Sequence, residues 1–428
     1  MRTVTAIGQK ITGSVGIRAA PYRGPMPHPP TFGAALRDRW LLDPAVTYLN
    51  HGTVGAPPRR VLQKQQALRD EMERQPSRFV LRELNGEQPM PWRLESRYRE
   101  AIAQIAPFLG VRADDLVFVP NVTTGLNAVL RSVPLGPPDE VLISDLAYGA
   151  IALAAQVVTR DRGATLRTVE MPFPLRDSGD VVDAFVRALT SRTKLVVVDH
   201  ITAQTALVLP VAAIAAECRA RGVLVLVDGA HAPGSIAVDI AAIGADWYAA
   251  NLHKWAHAPR SCGILWSRPE HQATLHHPVV SWGSGRGFHA EFEHNATCDP
   301  TSYLAAPEGV ALLREWDYEA VLAYTHGLAV EAGHVLSNRW ETTLDVPNDM
   351  RGAMITVPLP LDAGTTAGDA TRLRLSLLVD ERIEVQVHAW RGRLWARVSA
   401  QLYNDRSDIV RLGDAVWASV RAGSIAPA

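Results

Sequence analysis

The sequence predicts an α/β fold, with a large domain on a mostly parallel central sheet flanked by helices and a smaller α+β domain after it. Three observations carry this reading. Short apolar runs that end in polar residues recur at "DDLVFVP" (114–120), "DEVLISD" (139–145), "TKLVVVDH" (193–200) and "GVLVLVDGAH" (222–231). Helical patterns alternate with them, as in "VVDAFVRALTS" and "VAAIAAECRARG", the second closing at Gly222, a good helix stop. Beyond about Pro300 the pattern changes to two helical stretches, 303–316 and 318–341, followed by "GAMITVPLP", "IEVQVHAW" and "LWARVSAQLYN", which read as strands of a smaller antiparallel sheet.

Each early run has the composition of a strand buried on both faces, and strand–helix alternation of this kind builds an open parallel sheet. Ligands of such sheets bind at the carboxyl ends of the strands. Residues 121–124, 145–148, 199–204 and 228–231 are therefore where chemistry is expected.

Composition limits the function classes. The 428 residues are 47% hydrophobic and 20% charged, which supplies ample core. Lys+Arg 43 against Asp+Glu 44 gives a formal net charge of -1 without a basic stripe, so nucleic-acid binding has no electrostatic support. Cys218, Cys262 and Cys298 fit neither a disulfide framework nor a zinc site, which points to a reducing, cytoplasmic setting. The first thirty-odd residues lack the apolar core of a signal peptide, and no later run is long enough to span a membrane.

The chemistry centres on "VLVLVDGAH" and "NLHKWAHAPRSCGILW". A buried strand delivers Asp228 to the sheet edge, where a carboxylate needs a cationic or hydrogen-bonding partner. Lys254 follows after a further strand-like segment, immediately before another apolar run. Pyridoxal 5'-phosphate requires both types of residue: a lysine for a Schiff base with its aldehyde and an aspartate for its pyridinium nitrogen. Alone, the pair is also consistent with a helix cap and a solvated lysine. "NVTTG" adds Thr123 and Thr124 at a strand-to-helix turn, suited to a phosphate and equally an ordinary N-cap. Tyr148 in "SDLAYGA" is placed either to stack on a ring or to fill core, and His231 either to meet the ring's phenolic oxygen or to cap a strand.

Taken together, "VDGAH", "NLHKW", "NVTTG", "DLAYGA" and "VSAQLYN" resemble the class V aminotransferase superfamily of fold type I pyridoxal phosphate enzymes, in its isopenicillin N epimerase-like branch. The likeness runs from Leu41 to Asn404. It implies a Schiff-base lysine at Lys254, with His253 a phosphate ligand and Asn251 standing where the family often has serine. Asp228 would bind the pyridine nitrogen, and Thr123 and Thr124 the phosphate. His200 and Gln204 would lie near the ring and the substrate carboxylate, Arg397 would clamp that carboxylate, and Asn50 and His51 would line the substrate side. "NATCDP" resembles the segment by which a second subunit completes the phosphate site, which nominates Thr297 and implies a homodimer. The corresponding division is an arm at 1–33, an active-site segment at 34–60, a large domain at 61–300 and a small domain at 301–428. Two departures stand out: Cys262 within "APRSCG", where the family has a small glycine-containing turn, and Ala296 where glycine is usual before the threonine.

Such enzymes epimerise, transaminate, decarboxylate or eliminate. Desulfurases of the superfamily need a cysteine shortly before the carboxylate-binding arginine, and none occurs between Gly352 and Arg397. Lys254 is the expected proton shuttle, while epimerisation needs a second acid, for which His51, His200 and Tyr148 are candidates. The expectation is therefore a carbon–sulfur β-lyase on a bulky S-substituted cysteine in natural-product biosynthesis. An epimerase, or a deaminase or aminotransferase coupled to decarboxylation, is the alternative. The loop "SWGSGRGFHAEFEH" reads as a substrate lid carrying Arg286, or as a plain solvated loop. A zinc site at His253, His257, Cys262, His276 and His277 is the rival from another class, although no glutamate lies between the first two histidines. A non-catalytic binding protein would not need to keep both Lys254 and Asp228.

Overall fold

The computed structural model describes residues 31–84 and 95–421. Residues 1–30 of the expected arm lie outside them. In chain order the strands are Thr47–Tyr48 (β1), Leu116–Val119 (β2), Glu140–Ser144 (β3), Thr165–Val169 (β4), Thr193–Asp199 (β5), Leu224–Asp228 (β6), Trp247–Asn251 (β7), Gly263–Ser267 (β8), Met354–Pro358 (β9), Ile383–Glu384 (β10), Gln386–Trp390 (β11) and Arg393–Ser399 (β12). The central sheet runs β2-β8-β7-β6-β5-β3-β4. Its pairs are parallel from β7 to β4, and only β8 is antiparallel to its neighbours β2 and β7.

The double burial expected from composition is literal. Val225 and Val227 of β6 and Val196 and Val198 of β5 face one apolar core. Leu226, Leu195 and Val197 face another on the opposite side of the sheet. Helices cover both faces, among them Val122–Ser132 (α1), Gly149–Arg162 (α2), Ser178–Ala188 (α3) and Val211–Arg219 (α4). Asn121 caps α1, accepting a bond from Thr124 N at 2.9 Å. The edge strand β4, partly exposed, carries no uninterrupted apolar run, and the sequence pattern passed over it.

A second sheet, β11-β12-β9, is antiparallel. Its core is shared with helices Tyr318–Trp340, Ala367–Val379 (α5) and Arg406–Arg421. The change of pattern at about Pro300 does not coincide with the boundary between cores. Helix Thr301–Glu315 contributes Tyr303, Leu304 and Leu313 to the large-domain core. The following helix begins there with Val321 and ends in the small-domain core with Leu336 and Trp340. A long helix buries one end in each layer because its apolar stripe continues past the point where its neighbours change.

Both departures from the family pattern fall at backbone turns. Ser261, beside Cys262, has φ 64 and Ala296 has φ 71, the left-handed region where a Cβ is strained. Ala296 is exposed, so relieving it disturbs no core contact. Ala296→Gly should stabilise the fold by about 1 kcal/mol, read as a rise in thermal midpoint; an unchanged or lower midpoint contradicts the strain.

Candidate active site

The site lies at the carboxyl edge of the central sheet. Asp199 and Asp228 end adjacent parallel strands and are register partners, with Ala249 level on the next strand. Both aspartates are buried, at 4% and 3% exposure. Asp228 accepts from Ala230 N at 2.9 Å. Asp199 accepts from the backbone N–H of Tyr148. Burial raises both proton affinities, and the charge of Asp228 raises that of Asp199 further, while Lys254 and the Ala230 bond hold Asp228 lower. Of the two, Asp199 is pushed up further, while Asp228 rises to about 6.

Lys254 leaves β7 on a turn fixed by backbone bonds: Leu252 N and His253 N both donate to Cys262 O, at 3.0 and 3.1 Å. Gly55 backs the turn so closely that a Cβ there would meet His253 O at 1.9 Å. Cys262 itself is fully buried in the apolar core, which raises its thiol's proton affinity; its backbone carbonyl carries the contact that matters. Lys254 Nζ lies 3.1 Å from His231 Nε2. Trp255 Nε1 points its proton at His231 Nδ1, 3.5 Å away. The proton of neutral His231 then sits on Nε2 and faces Lys254 as a free amine. Consistently, burial first and the positive field of Arg397 second push Lys254 down to about 8, against an opposing pull from Asp228.

Arg397 is 4% exposed and donates to Ala203 O, to Thr53 Oγ1 at 2.7 Å and to Asn50 Oδ1 at 3.3 Å. Burial lowers it to about 10, so it stays cationic at neutral pH. Its Nε is buried without a partner among the described residues. Asn50 is held in turn by its amide bond to Glu384 Oε1 at 2.7 Å.

At the helix end, Val122 N bonds Asn251 Oδ1 at 3.0 Å and Thr124 N bonds Asn121. The Thr123 N–H, in the first turn of α1, makes no protein bond among the described residues, as expected of a first-turn donor facing a ligand. His253 holds Cys262 O through Nδ1 at 2.8 Å and is neutral, desolvation lowering it to about 4. Tyr148 begins α2 at 49% exposure, which excludes its reading as a core residue.

A part-buried lysine beside a buried aspartate, an unbonded Thr123 N–H at a helix N-terminus and an arginine with no carboxylate partner form a donor set that fits pyridoxal phosphate. A family model described as Aminotransferase class-V matches residues 48–413. The chain belongs to that family.

Among its relatives, isopenicillin N epimerase of Streptomyces clavuligerus is 33% identical over 399 residues, covering 89% of this chain and 96% of the relative. A protein described as probable L-cysteine desulfhydrase, chloroplastic, of Arabidopsis thaliana is 30% identical over 410 residues, covering 89% and 84%. A solved structure of a lysine variant of C-DES, with glycine covalently linked to the PLP cofactor, aligns at a TM-score of 0.72 and 21% identity, over 87% of this chain and 96% of that one. The fold is therefore that of these pyridoxal phosphate enzymes, and the cofactor of this class V member is pyridoxal 5'-phosphate.

His51, expected to line the substrate side, is corrected by the structure. It is 0% exposed, donates from Nε2 to Lys254 O at 2.9 Å, and accepts at Nδ1 from Tyr403 OH at 2.9 Å. With both nitrogens engaged, its ring supports the lysine turn. His200 is bound through Nδ1 to Tyr248 OH at 2.8 Å, and desolvation lowers it to about 4. Gln204 exposes its side chain, while its carbonyl accepts from Thr356 Oγ1 at 2.8 Å. Arg286 and Thr297 line another cleft of about 500 Å3 with Tyr98 and Trp282. The rival zinc reading fails on geometry: no helix forms over His253 and His257, and Cys262 is sealed in core.

Asp199, Thr53, Tyr248 and Tyr403 went unassigned in the sequence. Asp199 had a signal, since "VVVDH" ends as "VLVLVD" does. The others act through contacts between segments distant in sequence.

An amine captures an aldehyde only in its free form, so the depressed proton affinity of Lys254 gives its expected Schiff-base role a kinetic consequence. Reconstitution of cofactor-stripped protein, followed by visible absorbance, should accelerate with pH and level off above about 8. A rate that keeps climbing towards about 10.4, the value of an ordinary lysine, contradicts the desolvated amine.

Proposed function

We propose that this enzyme is a carbon–sulfur β-lyase that acts on a bulky S-substituted cysteine in small-molecule biosynthesis, as a cytoplasmic homodimer whose partner subunit completes the phosphate site through Thr297. Bound pyridoxal 5'-phosphate supplies an electron sink that acidifies the α-carbon of an attached amino acid. Asp228 keeps its negative charge toward the ring nitrogen, Tyr148 covers the ring, and Thr123, Thr124, Asn251 and His253 hold the phosphate. Arg397 fixes the substrate α-carboxylate with a planar fork of donors.

The observation that carries the reading is the supply of proton carriers. Lys254, brought to about 8, is suited to take the α-proton near neutral pH. His51, His200 and His253 are each held near 4 and tied by ring nitrogens to protein groups. β-Elimination needs one base: Lys254 Nζ receives the α-proton and the carbon–sulfur bond breaks with its electron pair leaving on sulfur. Relatives named L-cysteine desulfhydrase support carbon–sulfur cleavage. The reading against desulfuration rests on the sequence, in which no cysteine lies between Gly352 and Arg397.

One observation favours epimerisation as a second reading. Tyr148 presents an exposed hydroxyl at the sheet edge, available as the acid for the opposite face, and isopenicillin N epimerase is a relative.

Incubation with S-alkyl cysteines should release pyruvate and thiol in equal amounts. Exchange of α-deuterium without pyruvate rejects elimination and favours the epimerase. Lys254→Ala should lower turnover by roughly 10²–10⁴-fold or more while the far-ultraviolet circular dichroism stays that of the parent; a fully active variant rejects the lysine's role.

A further inference from the structure

The two faces of the small-domain sheet differ in kind. Ile355, Val357, Val387, Ala396 and Val398 point into its core. By alternation, His388 shares the other face with Gln386 and Arg397, in register pairs Gln386↔Arg397 and His388↔Trp395. That face meets the loops at the carboxyl ends of the central strands. Arg397 donates to Ala203 O and Thr356 Oγ1 to Gln204 O, while the Phe173 ring stands edge-on to Trp390 and Trp395, with centroids 4.9 and 5.8 Å away.

Two arginines and an uncharged imidazole converge there, none of them ion-paired among the described residues: burial first, then the fields of Arg397 and Arg374, lower His388 to about 4, so it offers a single ring N–H. Arg374, from α5, reaches Gln386 Oε1 at 3.4 Å and Thr371 Oγ1 at 3.2 Å, both neutral. His388 lies in the positive fields of both Arg374 and Arg397. The carboxylate on the preceding strand, Glu384, accepts from the Asn50 amide at 2.7 Å and bonds neither His388 nor Arg374. Both ring nitrogens of His388 are buried and bonded to nothing among the described residues, as are Nε of Arg374 and Nε of Arg397. His388 is only 7% exposed. Buried donors left unpaired are costly, and two guanidinium groups clustered with an imidazole N–H suit an anionic oxygen.

We propose that His388 and Arg374 form an anion subsite beside Arg397, which takes a second carboxylate carried on the substrate's S-substituent. Arg397 holds the α-carboxylate, and the distal one accepts from His388 and Arg374. Trp390 and Trp395 supply an apolar wall for the chain between them. The lyase reading enters only through the choice of a cysteine scaffold.

The test compares two ligands of equal size, S-(2-carboxyethyl)cysteine and S-(2-carbamoylethyl)cysteine, on the holoenzyme. Affinity is read from the change each produces in the visible absorbance of the bound cofactor, which requires no turnover. The acid should bind at least tenfold more tightly than the amide, and His388→Phe and Arg374→Met should each bring that ratio close to one. Equal affinities in the parent enzyme, or no measurable binding of the acid, overturn the subsite without reference to any variant. If the acid is preferred and neither ligand yields pyruvate, the subsite stands and the lyase reading falls.

Discussion

Holding Lys254, Asp228 and Arg397 away from water at one sheet edge sets the chemistry of the residues around them. A lysine amine loses its charge most readily where solvent cannot stabilise the ammonium and another cation stands nearby, and Arg397 supplies that cation. Asp228 works against this, because its carboxylate favours the ammonium form. The balance brings the amine to about 8, which suits the proposed capture of an aldehyde and acceptance of a proton. Asp199 stands beside Asp228 in register, and burial together with the charge of Asp228 raises its proton affinity well above that of an ordinary carboxylate.

Maintaining such a set requires a rigid surround. The lysine turn is pinned from three directions: Cys262 O through two amides, Gly55 through close backbone contact, and His51 through the Lys254 carbonyl. Behind His51, Tyr403 packs on Trp40 with ring centroids 4.9 Å apart, tying the turn to the N-terminal segment. On the far side, Gly229 permits the Tyr248 ring to pass where a Cβ would meet it at 2.2 Å, and Tyr248 in turn holds His200. Few of these supports touch substrate; they keep the groups that do within the tolerance that proton transfer demands.

Much of the fold was legible because burial on both faces leaves a compositional mark. Each central run of Val, Leu and Ile proved to be a strand with its polar end at the sheet edge, which located Asp228, Thr123 and Tyr148 before any contact was known. The edge strand β4 escaped for the converse reason, since only Val169 of its five residues is buried. His51 was misjudged because residue type and position give no sign of where a ring's two nitrogens point, and both are consumed by residues 203 and 352 positions away. The helix that begins at Tyr318 carries apolar positions that serve two cores in succession, which a change of sequence pattern at about Pro300 does not reveal.

The same limit explains why the reaction is harder to read than the cofactor. The cofactor demands a few residue types at sheet ends, and those are dictated locally. Which bond breaks depends on how many proton carriers stand about the α-carbon, and that number is fixed by burial. Three histidines that the sequence offered as chemistry are neutral and tied: His51 to the lysine turn, His200 to Tyr248, His253 to Cys262. Removing them leaves Lys254 as the base and Tyr148 as the only remaining acid among the candidates weighed. A one-base site favours departure of a group from the β-carbon over inversion at the α-carbon, provided that the substrate carries a leaving group.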